Sequence, residues 1–467
     1  MQWGFLLERL KNFYQVRILA ARYSPRYLLG ALGAIVLLIG AVFGAVTLRF
    51  PPTTFLDILT WIFTVLSLVS AVYSFVIAHR EVSDVEKIDS SRHFFFEGGG
   101  NVAAGDALYP FFAGIEPSDA EQALGFVKFA HKTGVAHVSD AYDNHLMLRK
   151  DMPFQKASAP VPYVSPLPHI RKLQLAYLFY RSRLGKKRMT NDRKVAMLGS
   201  IADSRQRLLI GDARYFDSLM TQEAFSARVS CSPVEQIAEK RQILDGLRFY
   251  PLAEDGTRLA PLPVAGITSH FGAAAITIGS DGLPLFALQG KENLISGGKV
   301  VWRATGSMDY ADLNTALGSG RDFRDAVKRN IVREAYEEMG LKKLALPRET
   351  VLAELFRRTI VTGFFRTVER AGKPDFIGLL KLPKDWKFDS IDQKELRPIK
   401  SFPFALTPIR TVEDFVDLEA KLREHDVTLA ASSLTALRRM LVIAGYRDSD
   451  DEGERAIHAT VNRLLGG

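Results

Sequence analysis

The stretch Arg333-Glu334-Ala335-Tyr336-Glu337-Glu338-Met339-Gly340-Leu341 decides the reading of the chain. Taken as a helix ending at Gly340, it puts Val327, Ile331, Ala335 and Met339 on one apolar stripe at i, i+4 spacing. Glu334, Glu337 and Glu338 project together on another face. Three carboxylates that close repel and raise one another's pKa unless a cation sits between them, and their hard oxygens suit Mg²⁺ or Mn²⁺. A solvated acidic face is the competing reading.

The segment resembles the Nudix box, G-x5-E-x7-R-E-U-x-E-E-x-G-U with U aliphatic, over its R-E-U-x-E-E-x-G-U core, with Ala335 as a small U. That resemblance implies an α/β fold, a Nudix-like α/β/α sandwich with a mixed sheet. It assigns Glu334, Glu337 and Glu338 to the divalent metals of a pyrophosphohydrolase, Arg333 to a salt bridge that orients them, and Glu334 to the role of base. Upstream the pattern departs. Ser319, between Gly318 and Gly320, stands where the family has its first glycine, and Asp325 where it has its first glutamate. Ser319-Gly320-Arg321-Asp322 offers a capping box that starts the helix late and puts Asp325 inside it.

Working outward, residues 273–278 and 284–288 flank the turn Ser280-Asp281-Gly282 and predict a hairpin, with 300–303 a third strand. Residues 351–358, 360–366 and 376–381 read as further strands. Arg357, Arg358, Arg366, Arg370 and Lys373 supply cations that could face a phosphate, although exposed strand edges also favour such charges. Beyond residue 411 the spacing of Val412, Phe415, Leu418 and Leu422 is helical. Ser432 or Ser433 is placed to cap a helix over 434–444, and 456–465 makes a last one.

At the other end, 27–48 is a run of twenty-two residues without a charge, which as a helix spans roughly 33 Å, enough for a bilayer core. Arg49-Phe50-Pro51-Pro52-Thr53 turns the chain into a second apolar run, 54–78, so a transmembrane hairpin is expected. Before it, residues 1–26 mix apolar and charged residues as an amphipathic segment at a membrane surface does. Arg9, Lys11, Arg17, Arg22 and Arg26 precede the first span and only Arg49 lies in the turn, which places both termini in the cytoplasm. The expected location is a bacterial inner membrane. Gly40 and Gly44 form a G-x-x-x-G pair suited to self-association on activation.

The 467 residues then divide into the amphipathic segment 1–26, the hairpin 27–80, an α+β intermediate domain 81–260, a Nudix-like domain 261–410 and C-terminal helices 411–467. Cys231 is the single cysteine, which excludes an intramolecular disulfide. Within the intermediate domain, Pro117-Ser118-Asp119 opens a helical run through Phe129, and 152–168 carries five prolines as an extended linker. Between Arg171 and Arg207 lie eleven Lys or Arg against two Asp, which accounts for the whole net charge of +9. Nucleotide phosphates, anionic lipid or nucleic acid could explain that patch, but no nucleic-acid-binding motif accompanies it.

Two functions remain open from sequence. A two-helix anchor joined to a Nudix-like domain resembles the transmembrane Nudix effectors of bacterial cyclic-oligonucleotide anti-phage (CBASS) systems. The resemblance implies a cytoplasmic domain that senses a nucleotide or cyclic oligonucleotide and triggers a membrane response in antiviral defence. The alternative is a membrane-anchored, Mg²⁺- or Mn²⁺-dependent hydrolase of nucleoside diphosphate derivatives.

Overall fold

A computed structural model describes residues 104–157, 191–199, 207–233, 241–262, 267–289, 298–313, 321–384 and 402–466, with shorter runs elsewhere. The chain forms two compact units. One comprises Met1–Phe94, Leu175–Thr190 and Cys231–Arg241, the other Phe95–Gln174, Asn191–Ser230 and Gln242–Gly467.

In the first unit, the expected first span lies outside the described residues. Of the second, Ile58, Trp61, Ile62, Thr64 and Val65 are helical. Ile58, Trp61, Ile62 and Val65 fall at i, i+3, i+4 and i+7, and each leaves between 39 and 49 % of its surface exposed. Among the described residues no helix is long and apolar enough to cross a membrane.

The principal elements of the second unit run in chain order as follows. A hairpin of β1 (Val127–His131) and β2 (Gly134–Val138) leads to α1 (Asp140–Leu148), then β3 (Phe154–Lys156), β4 (Arg193–Met197) and β5 (Leu208–Arg214). Next come β6 (Gly272–Ile278), β7 (Phe286–Gln289), β8 (Val300–Trp302), β9 (Thr305–Ser307), α2 (Phe323–Glu338) and α3 (Arg348–Arg357). The chain continues through β10 (Thr359–Thr367), β11 (Lys373–Lys381), β12 (Leu396–Arg397), α4 (Asp414–Glu424), α5 (Ala431–Ala444) and α6 (Glu452–Gly466).

The central sheet has the order β9-β6-β11-β10-β2-β1. It is mixed, with β6 parallel to β11 and every other neighbouring pair antiparallel. Period-2 alternation sends its side chains to two cores. On one face Phe376 and Leu380 of β11 pack with Val327, Ile331, Ala335 and Leu355 of α2 and α3. On the other, Ile377 and Leu379 meet Phe415, Leu418, Leu437, Met440, Ile457 and Val461 of α4, α5 and α6. Helices therefore cover both faces of a mixed sheet.

The apolar stripe of α2 is buried throughout, Val327, Ile331, Ala335 and Met339 each at 0 % exposure. Burial of side chains such as valine, isoleucine and methionine contributes roughly 1.5–3 kcal/mol each, so packing rather than propensity holds this helix on the sheet. Asp322 caps its start, its side chain accepting from the Arg324 N–H. The cap expected at Ser319 is thus supplied by Asp322, and Asp325 lies in the first turn. Gly340 ends the helix in the left-handed region, φ 68°, which a glycine adopts without steric cost.

Several expectations fail for identifiable reasons. Residues 351–358 form α3 instead of a strand, because Val351 and Leu355, four apart and both buried, pack beside α2. The helical run from Pro117 stops at Gln122 after one turn closed by a Ser118–Glu121 capping box, and the chain becomes β1. The turn Ser280-Asp281-Gly282 forms, but β7 then leaves β6 to pair with β8 and β12. Ser433 sits inside α5, which begins at Ala431, where its hydroxyl accepts from the Trp302 backbone N–H and its carbonyl from the indole N–H. Most consequential, the central sheet takes β1 and β2 from residues 127–138 and so crosses the boundary read at 260–261.

Candidate functional site

Arg333 leaves the face of α2 that looks toward β9 and the following turn, Tyr310–Leu313. Its guanidinium forms a bidentate pair with Asp312, Nε to Oδ1 at 3.1 Å and Nη2 to Oδ2 at 3.1 Å. It also donates to Glu334 Oε1 at 2.9 Å, to Asn330 Oδ1 at 2.7 Å and to the Ser307 carbonyl at 3.1 Å. Asp309 lies 3.4 Å away and Glu337 3.8 Å. The salt bridge expected of Arg333 exists, with two aspartates added.

Asp312 is turned into place by local geometry, since its Oδ2 also accepts from the Asp309 N–H three residues back. From the other side β4 contributes Lys194, whose ammonium pairs with Asp309. The backbone fixes that strand through Val195 N–H to the Met308 carbonyl at 3.1 Å and Phe271 N–H to the Val195 carbonyl at 2.9 Å. Two cations and four carboxylates thereby share one corner of the sheet.

Glu334 is at its centre. Burial pushes its carboxyl up to about 7, while Arg333 and Lys194 pull it down and Glu337 and Asp309 add to the rise. For Arg333 burial opposes the charge, but Glu334 and Asp312 outweigh it and hold the guanidinium firmly protonated. Gly306 of β9 faces Glu334 so closely that a Cβ there would fall 2.2 Å from Oε1. Only glycine leaves room for this carboxylate, which explains the residue better than any turn requirement.

The other two glutamates are placed differently. Glu338 Oε2 accepts from the Ala304 N–H at 2.7 Å, and so ties the end of α2 to the strand link before β9. Glu337 keeps 44 % of its side chain exposed. Among the described residues no three His, Cys, Asp or Glu side chains converge as a metal-ligand group. Asp325 lies nine residues before Glu334 on the same helix, roughly 13 Å along its axis, too far to share an ion with it.

The predicted phosphate ligands do not join this corner. Arg366 is wholly buried and committed to Glu121 and to the Gly372 and Ala260 carbonyls. Arg357 and Arg358 both pair with Glu354 of their own helix. In their stead stand Lys194, Asp309 and Asp312. The two aspartates were visible as an i, i+3 pair ahead of the box, a spacing that one tight turn brings to one side. Lys194, more than a hundred residues upstream, gave no such signal.

No protein-family model matches the sequence, and no curated protein matches it. The residues themselves carry the functional argument.

Proposed function

We propose that the chain is a membrane-anchored receptor whose Nudix-like domain senses a nucleotide, possible ligands including a cyclic oligonucleotide, in antiviral defence. The observation that carries this reading is the engagement of the box carboxylates by the protein itself, Glu334 by Arg333 and Glu338 by the Ala304 amide. Carboxylates so tied shape and orient a surface, whereas an ion would have to compete with these donors for their oxygens. Helices on both faces of a mixed sheet, with the box helix against one of them, suit a Nudix-like sandwich. The exposed stripe Ile58, Trp61, Ile62 and Val65 suits the expected second span, with both termini on the cytoplasmic side.

The hydrolase alternative rests on burial, which pushes the Glu334 carboxyl up to about 7, a range that serves a general base near neutrality. Mg²⁺ or Mn²⁺ would need Glu337 and Glu338 beside Glu334, and Glu338 is turned to Ala304.

A receptor transmits only if its ligand binds two states unequally, and two short spans cannot enclose a pore within one chain, so the response is assembly of several hairpins. Full-length protein in dye-loaded vesicles should release dye when a cyclic oligonucleotide or nucleoside diphosphate panel contains its ligand. Gly40→Ile with Gly44→Ile should abolish release while calorimetry shows unchanged affinity. Full release by the double variant would show that helix association through this glycine face is not the output, and a panel without any bound nucleotide would remove the receptor reading.

A further inference from the structure

Tyr310 opens the turn that carries Asp309 and Asp312, and its half-buried ring collects two cations from other strands. The Arg193 guanidinium of β4 stands 4.1 Å from the ring centroid and the Lys156 ammonium of β3 stands 5.4 Å from it. Both side chains are exposed. Arg193 is also paired with Asp212 at 2.7 Å, while Lys156 has no carboxylate partner among the described residues. The two charges lie within about 10 Å of each other, next to the Lys194–Asp309 pair.

Asp212 on the neighbouring strand holds Arg193, whereas Lys156 has no such tie among the described residues. Two like charges drawn to one ring repel, and exposed lysine and arginine gain more from solvent than from a weak ring contact. They are held together by the third sheet, β3-β5-β4, whose outer strands flank β5. That sheet also contains the one described strand of the basic stretch between Arg171 and Arg207, so part of the positive excess is delivered to the edge of the carboxylate corner.

We infer that Lys156, Arg193 and Tyr310 form a phosphate subsite for a soluble ligand carrying at least two phosphate groups. With Nε and Nη2 engaged by Asp212, the Arg193 guanidinium offers its remaining N–H groups to one phosphate, the Lys156 ammonium offers a point charge to the next, and their shared contact with the Tyr310 ring keeps the two near each other. The ligand class rests on the receptor reading; the phosphate affinity of the patch does not.

The test uses the full chain in detergent, with tripolyphosphate and ADP as probes in calorimetry, and flotation with phosphatidylserine vesicles as a third arm. Lys156→Gln with Arg193→Gln should weaken both soluble probes about tenfold or more, the scale of one or two charge-assisted hydrogen bonds, and should flatten the salt dependence. Melting temperature should stay unchanged, because both side chains are exposed. Tyr310→Leu should weaken binding less. Loss of tripolyphosphate binding in the double variant supports the subsite even where the parent binds no ADP, an outcome that removes nucleoside diphosphates as its ligand class. Equal affinity in parent and double variant, or no tripolyphosphate binding by the parent, overturns the inference. A loss confined to vesicles assigns the patch to lipid headgroups and overturns it too.

Discussion

Arg333→Leu should destabilise the protein by about 3–5 kcal/mol, the usual cost of stripping one partner from a buried charge network. Among the described residues the guanidinium touches Asp312, Glu334 and Asp309 together, and Asp312 is only 5 % exposed. Without it three carboxylates face one another in a poorly solvated corner, with Lys194 paired to Asp309 on the opposite side. The cost is therefore electrostatic and should be recoverable. Arg333→Leu combined with Asp312→Leu should regain much of the loss, because an apolar pair of similar volume needs no counter-charge. Denaturant unfolding of single and double variants measures both. A single variant within 1 kcal/mol of the parent would mean that the clamp does not organise the corner.

Arg439→Leu should cost a comparable amount, and here the effect should depend on pH. Arg439 is fully buried in α5, donating to the Thr362 carbonyl and Asn144 Oδ1 at 2.8 Å each, with Asp143 Oδ2 at 3.6 Å. Burial pushes the Asp143 carboxyl up to about 7, against the pull of Arg439 and the Phe364 N–H and with some help from Asp140; Arg438 also pulls it down. A folded pKa raised above the unfolded value of 3.8 gives stability that is complete below pH 4 and is lost as pH rises through 7. The parent should then lose stability over that window, and Asp143→Asn should flatten the decline. Arg439→Leu should be most harmful above pH 7, where the abandoned carboxylate would have to ionise in the core. A pH-independent deficit would show that Arg439 acts through packing and its carbonyl contact only.

Legibility in the sequence followed the range of the interactions. The box helix was readable because Val327, Ile331, Ala335 and Met339 repeat locally and Gly340 marks the end. Strands β10 and β11 were readable because they are long and apolar. Segment 351–358 is ambiguous in sequence because four or five apolar residues serve a buried strand or a short helix equally well, and only contact with α2 decides between them. The joining of β1 and β2 to the sheet pairs Val138 with Phe365, more than two hundred residues apart, which no local pattern encodes. The same holds for the site. Arg333 and Glu334 announced themselves, whereas Lys194 and the cations around Tyr310 reach the corner through a small separate sheet. Arg366 looked available as a phosphate ligand because sequence cannot show that Glu121 already occupies it.

In the proposed function the corner around Glu334 binds a nucleotide without cleaving it. Once calorimetry identifies a nucleotide that saturates the full-length protein, the bound ligand should be incubated with protein and Mg²⁺ or Mn²⁺ and resolved by anion-exchange chromatography. It should be recovered intact, and Glu337→Gln should change nothing in the elution profile. Release of a mononucleotide or phosphate by the parent, falling by several decades in Glu337→Gln, would contradict it and establish the hydrolase.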